Sequence, residues 1–107
     1  DDMLKVSGQY VSPFEVESAL LTHPSVLEAA VIGIADEQGL IKPKAYVVLK
    51  SGISGENGLA EELKAHVKSR LTPHKYPRWF EFVNELPKTA TGKIQRFKLR
   101  AMEQVVK

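Results

Sequence analysis

The chain has 107 residues and a net charge of +2, with 43% hydrophobic and 26% charged residues. This length supports one domain with a single modest core, and the composition is that of a folded globular protein, which excludes a disordered chain. No apolar run approaches the roughly 18 residues of a membrane span, and the absence of cysteine excludes disulfides and thiolate zinc sites and fits a reducing cytoplasm.

The first predicted elements are a hairpin and a helix. Apolar and polar residues alternate on both sides of Gly8-Gln9, which predicts two short strands joined by a tight turn. Ser12, Pro13 and Glu15 then form a helix start signal, with an N-cap, an N1 proline and a capping box, and Pro24 ends the helix. The expected apolar stripe of this helix is Phe14, Ala19, Leu20 and Leu21.

The middle and end of the chain predict a small sheet with further helices. VLEAAVIGIA and KAYVVLK are typical of strands, with DEQGLIKP as the loop between them. A turn-rich segment leads to a helix in LAEELKAHVKSRL, a third strand in RWFEFV, a short strand in KIQ and a closing helix in RFKLRAMEQVVK. Because no regular βαβ repetition occurs, we expect an α+β fold: a small antiparallel or mixed sheet flanked by helices and preceded by a two-stranded hairpin.

The loop in LPKTATGKIQR presents Lys93 directly after Gly92. It is not a P-loop, because Pro87 occupies the position of the first glycine and Ile94 follows the lysine. A lysine on such a loop can still reach a neighbouring site and neutralise a phosphoryl group in its transition state. From the residues alone, an ordinary exposed loop lysine remains the alternative.

The segment TPHKYPRWF interleaves basic and aromatic residues. This composition suits a nucleotide, with His74, Lys75 and Arg78 as candidate contacts, whereas Trp79, Phe80 and Phe82 are expected in the core. The three histidines, His23, His66 and His74, lack the spacing of metal ligands, so we predict no metal site.

Charge is unevenly distributed along the chain. Residues 1–62 carry four lysines or arginines against ten acidic residues, and residues 63–107 carry eleven against three. A basic half suggests an anionic partner, so a stand-alone nucleotide- or RNA-binding module, or a pure interaction module, is the alternative hypothesis. The basic positions are scattered over helix, loop and tail, which argues against nucleic acid as the partner.

Two motifs resemble those of the C-terminal domain of adenylate-forming enzymes, such as acyl- and aryl-CoA synthetases. DDMLKVSGQYVSPFEVE is similar to the family's hinge-and-hairpin motif, and LPKTATGKIQR is similar to its closing motif. The resemblance covers essentially all of residues 1–107. It implies a C-terminal lid domain with its hinge at residues 1–2, acting with a large N-terminal adenylation domain outside this chain.

The resemblance implies two reaction steps, with ATP and CoA as substrates. An acid and ATP give an acyl-adenylate, which CoA converts to a thioester; Mg²⁺ is expected with ATP, bound outside this domain. Lys93 is then the adenylation lysine, Asp1 the hinge residue and Gly8 a hairpin residue lining the CoA tunnel. The segment near the CoA nucleotide supplies three weaker candidates, His74, Lys75 and Arg78.

The resemblance also implies how the enzyme is regulated and which class of carboxylic acid it activates. A lysine acetyltransferase and deacetylase are expected partners at Lys93, because acetylation removes the charge that the first step needs. The residue sequence SGQYVSPFEVE is similar to that of aromatic-acid ligases of the benzoate type.

Overall fold

A computed structural model describes residues 3–6 and 8–105, so the predicted hinge residue Asp1 lies outside the described residues. None of the helices in this part of the chain has both the length and the apolar character needed to cross a membrane. In chain order the elements are β1 (Leu4–Val6), β2 (Gln9–Val11), α1 (Pro13–Leu21), β3 (Val26–Ala35), β4 (Ile41–Leu49), α2 (Leu59–Lys68), a 3₁₀ turn (Pro73–Lys75), β5 (Trp79–Phe82) and α3 (Arg96–Val105).

The strands form two sheets. Strands β1 and β2 pair antiparallel as the predicted hairpin, with Val6 opposite Gln9. The second sheet has the order β3-β4-β5, with β3 and β4 antiparallel and β4 and β5 parallel. The predicted α+β fold with a mixed sheet is therefore confirmed.

Alternate residues of β3 and β4 point to opposite faces of the sheet, as strand geometry requires. Val31 and Val47 face the hairpin, α1 and α2, where Leu20 and Leu63 are fully buried. Ile32 and Tyr46 face the other side. There they pack with Leu99 of α3 and with Leu86. The interior is thus two apolar clusters, one on each face of the sheet, where composition had predicted a single core.

Helix α1 departs from the local sequence rules. Ser12 is its N-cap and Pro13 its first residue, but Ser12 makes no side-chain capping hydrogen bond, so the predicted capping box is not formed. The Glu15 carboxylate instead accepts hydrogen bonds from the Lys75 ammonium at 2.9 and 3.2 Å. Of the predicted apolar stripe, Ala19 and Leu20 are buried, whereas Phe14 and Leu21 are exposed.

Two boundaries in the sheet region also differ from prediction. Strand β4 begins at Ile41, inside the predicted loop, because Lys42 and Pro43 continue the pairing with β3. The predicted KIQ strand is reduced to a single antiparallel bridge between Ile94 and Lys88. Trp79, Phe80 and Phe82 are half-buried, and the two phenylalanines pack against the cluster that contains Leu63.

The far part of α3 is held to the sheet by a polar cluster. The buried Tyr46 hydroxyl donates a hydrogen bond to Glu103, and the Lys44 ammonium donates to both Glu103 and Glu81. Burial, followed by the hydrogen bond with Glu103, raises the pKa of Tyr46 to about 12. The hydroxyl is therefore a donor throughout the physiological pH range.

Candidate functional site

The Lys93 loop is a short, closed hairpin. The Gly92 amide donates to the Thr89 carbonyl at 2.9 Å, and the Thr89 amide donates to the Lys93 carbonyl at 2.8 Å. The Thr89 hydroxyl accepts from the Lys93 amide at 3.0 Å, so the same threonine holds both sides of the turn. Gly92 has a φ of 88°, the left-handed conformation that follows a type I turn in three-residue hairpin loops. Lys93 is thus presented by an ordered turn.

The Lys93 side chain is exposed, and no carboxylate pairs with it among the described residues. Lys88, on the other strand of the same loop, forms an ion pair with Glu28. The loop therefore carries one neutralised lysine and one whose ammonium is available to an external anion. This is the electrostatic arrangement that a charge-delivering lysine requires.

Gly92→Ala is expected to destabilise the chain by about 1 kcal/mol, because an L-residue disfavours the left-handed conformation. Crowding does not contribute, since an added Cβ would meet no atom within 4 Å. Urea unfolding followed by the fluorescence of Trp79, the chain's single tryptophan, measures the loss. Gly92→Asn is the matched variant and should cost less, because asparagine tolerates this conformation. An equal cost for the two variants would contradict the backbone explanation.

A cavity of about 290 Å³ lies between the hairpin, the start of β4 and the 3₁₀ turn. Among its lining residues are Val6 of the hairpin, Lys42, His74, Tyr76 and Arg78. Two of the predicted CoA contacts, His74 and Arg78, therefore lie together in a cavity that is also lined by Val6, two positions before Gly8 in the hairpin. Cationic walls beside an aromatic ring are suited to a phosphate-bearing nucleotide.

The third predicted CoA contact, Lys75, does not line this cavity. Its ammonium contacts the Glu15 carboxylate of α1. This ion pair joins the 3₁₀ turn to α1, so the structure gives Lys75 a bridging contact between two elements.

Lys42 lines the same cavity but was not predicted as a site residue. Its ammonium donates to Asp36 at 2.9 Å. This hydrogen bond, together with the Leu40 amide, lowers the pKa of Asp36 to about 2. Arg78 also lines a neighbouring cavity of about 340 Å³, with Asp36 and Trp79. Lys42 was not predicted as a site residue because it falls in the predicted loop DEQGLIKP, whereas in the structure it belongs to β4.

A second feature missed from the sequence is a buried ion pair between Glu17 and Arg96. Arg96 Nε lies 2.9 Å from Glu17 Oε2, and Arg96 Nη2 lies 2.6 Å from Glu17 Oε1. The side chains are only 8% and 6% exposed. Glu17 ends the first quoted motif and Arg96 ends the second, but their separation of 79 positions gave no local signal of contact.

The histidines contact other side chains. His23 Nε2 lies 2.6 Å from Glu62, and the rings of His23 and His66 meet edge to face with centroids 5.1 Å apart. Burial, then the charges of Arg70 and His23, lower the pKa of His66. Within residues 3–6 and 8–105, no group of three or more His, Asp or Glu side chains could hold a metal ion.

Comparison with known proteins gives a consistent set of relatives. The family model for the AMP-binding enzyme C-terminal domain matches residues 15–93. The chain is 69% identical over 101 residues to a benzoate–CoA ligase of Thauera aromatica, covering 94% of this chain and 19% of that protein. It is 57% identical over 103 residues to a 4-hydroxybenzoate–CoA/benzoate–CoA ligase of Rhodopseudomonas palustris, covering 95% and 19%.

A solved structure agrees with the sequence matches. The anthranilate CoA ligase AuaEII, in complex with anthranoyl-AMP, superposes with a TM-score of 0.91 at 56% identity, covering 95% of this chain and 20% of that one. The chain thus spans about a fifth of the length of the relatives it matches. The family model covers most of the chain, and the structural match covers 95% of it. The chain belongs to the AMP-binding enzyme C-terminal domain family.

Proposed function

We propose that this domain is the mobile C-terminal lid of an ATP-dependent carboxylate–CoA ligase, with its hinge at Asp1, and that Lys93 acts in the first step. In that step a carboxylate oxygen attacks the α-phosphorus of ATP, the bond to pyrophosphate breaks, and an acyl-adenylate forms. Negative charge gathers on the oxygens around the phosphorus as the bonds change. An ammonium placed there stabilises the transition state more than the separated substrates.

The observation that carries this proposal is the exposed Lys93 ammonium on an ordered turn, with no carboxylate partner in the described part of the chain. Several other basic side chains are already engaged: Lys44, Lys75 and Lys88 pair with acidic residues. These three lysines are therefore less available to an extended polyanion than the exposed Lys93. This argues against the alternative of an RNA-binding module.

In the second step the CoA thiol attacks the acyl carbonyl of the adenylate, and AMP leaves. We place the CoA nucleotide at the cavity lined by His74 and Arg78, and the thiol arm along the hairpin at Gly8. The ion pair of Lys75 with Glu15 makes Lys75 the weaker of the three nucleotide candidates. Magnesium would be bound outside this domain together with ATP.

The acid is proposed to be aromatic. By their names, the relatives described above act on benzoate, 4-hydroxybenzoate or anthranilate. The test is AMP release by the full-length enzyme that contains this domain, measured with ATP, CoA and either benzoate or a fatty acid of similar size. Benzoyl-CoA formation supports the proposal. Tight RNA binding at physiological salt without any AMP release would support the alternative.

Gly8→Ala is expected to slow thioester formation several-fold while leaving adenylation unchanged. Gly8 has a φ of 81°, and an added Cβ would meet nothing within 4 Å in this domain. Any steric clash of the new methyl group would therefore be with the CoA arm. Gly39→Ala is the control, because Gly39 has the same φ and its substitution carries the same backbone cost of about 1 kcal/mol. The measurement is the rate of acyl-CoA formation from supplied acyl-adenylate. Equal slowing in both variants would contradict a tunnel at Gly8.

Acetylation of Lys93 would act as an off switch under this proposal. It would replace the ammonium by a neutral amide and remove the charge from the first step. The exposure of Lys93 makes its side chain accessible to a lysine acetyltransferase and a deacetylase.

A further inference from the structure

The Glu17–Arg96 ion pair lies across the open edge of the three-stranded sheet. Among the described strands β3 pairs only with β4, so amides on its other side face away from the sheet. One of them, the Val31 amide, donates to Glu17 Oε2 at 2.7 Å, the same oxygen that accepts from Arg96 Nε. The carboxylate of α1 therefore binds the sheet edge and α3 at once, which joins the layers on the two faces of the sheet.

Arg96 holds the end of the Lys93 loop. It is the first residue of α3 and follows Lys93 by three positions, and the Gln95 amide closes the loop by donating to the Pro87 carbonyl at 2.9 Å. The guanidinium forms two hydrogen bonds to Glu17, one to each carboxylate oxygen, and the Phe14 ring centroid lies 4.6 Å from Arg96 Cζ. A bidentate pair fixes direction as well as distance.

We propose that Arg96 and Glu17 are positioning residues for Lys93. The pair sets the orientation of the loop relative to α1, and because α1 directly follows the β1–β2 hairpin, it also makes the loop and the hairpin move as one rigid body. This inference rests on the proposed role of Lys93 in adenylation. A displacement of about 1 Å in a reacting arrangement can cost about 10²-fold in rate, so loss of the pair should reduce the step that uses Lys93.

The competing explanation is that apolar packing alone positions the loop. Leu86 and Leu99 are buried in the cluster on that face of the sheet, and the half-buried Ile94 packs against it. Apolar contacts are non-directional and permit small rotations that a guanidinium fork resists. If packing were sufficient, loss of the ion pair would affect stability without selecting between the two steps.

The test uses the full-length enzyme carrying Glu17→Gln/Arg96→Met. This double variant removes both charges of the Glu17–Arg96 pair, and the glutamine oxygen can still accept from the Val31 amide, so we expect the fold to be retained. Arg96→Lys is a second variant that keeps the charge but loses the fork. We expect acyl-adenylate formation to fall about 10- to 100-fold, and thioester formation from supplied acyl-adenylate to stay within about twofold.

Tyr46→Phe is the matched control, because it removes a partly buried hydrogen bond at the far part of α3 without touching the Lys93 loop. It should leave both steps within about twofold of the wild type. In a Lys93→Ala background, the double variant should lower adenylation no further, because the residue that the pair positions is gone. A further loss in that background would contradict positioning.

Two results would overturn the inference while leaving the proposed function intact. In the first, the double variant slows both steps equally. In the second, the double variant slows neither step, although Lys93→Ala slows adenylation strongly. If Lys93→Ala adenylates at wild-type speed, the proposed function fails and the positioning role fails with it.

Discussion

Lys93→Ala in the full-length enzyme is expected to slow acyl-adenylate formation by about 10²- to 10³-fold, the usual cost of removing one preorganised group that stabilises transition-state charge. The effect follows from charge delivery. The Lys93 ammonium is exposed on a turn closed by three hydrogen bonds, and no described acidic residue competes for it. Acid-dependent exchange of pyrophosphate with ATP measures this step directly.

Two substitutions at the same position separate charge from shape. Lys93→Gln removes the charge and is expected to resemble Lys93→Ala. Lys93→Arg keeps the charge in a larger, planar group and should retain part of the activity. Lys88→Ala is the matched control on the same loop, since its ammonium is already engaged with Glu28, and it should stay within about threefold of the wild type. A Lys88→Ala loss as large as that of Lys93→Ala would contradict a specific role for Lys93.

Arg96→Met is expected to lower the free energy of unfolding by roughly 3–5 kcal/mol, because it leaves the Glu17 carboxylate buried without its cation. Both side chains are almost fully buried, so water cannot replace the lost partner. Urea unfolding of the chain, followed by Trp79 fluorescence, provides the measurement.

The double variant Glu17→Gln/Arg96→Met should regain at least about 2 kcal/mol of that loss, because it removes the uncompensated charge. Its glutamine can still accept the hydrogen bond that the Val31 amide donates to Glu17. A double variant less stable than Arg96→Met would show that the cost does not arise from the buried carboxylate.

The elements governed by local patterns were predictable. Alternation around Gly8 gave the hairpin, and apolar residues at helical spacing gave α2, where Leu59, Leu63 and Val67 are buried. Gly92 marked the Lys93 turn, and its positive φ accounts for the glycine. In each case residues close in sequence determine the conformation.

The errors occurred where distant residues decide the outcome. Glu15 satisfied the capping-box pattern, yet its carboxylate is paired with Lys75, 60 positions away. Pro43 suggested a loop, but it lies in β4 opposite Gly33 of β3, and its carbonyl accepts from the Arg78 amide at 2.8 Å. A proline can accept such a hydrogen bond although it has no N–H to donate.

Individual residues of the candidate site were predicted from the sequence, but their arrangement in space was not. Lys93, His74 and Arg78 were identified from their motifs and lie where an anion can reach them. Lys42 joins the cavity of His74 only through the pairing of β4 with its neighbours, and the Glu17–Arg96 contact exists only once α1 and α3 meet at the edge of β3. No sequence spacing encodes either contact.

The proposed role of Lys93 is tested most directly by supplying the Lys93→Ala enzyme with preformed acyl-adenylate and CoA, and comparing that rate with its rate of adenylate formation from acid and ATP. We predict thioester formation within about twofold of the wild type together with adenylation slowed at least about 10²-fold. Undiminished adenylation, or equal losses in both steps, would contradict the proposal that Lys93 acts only in the adenylation step.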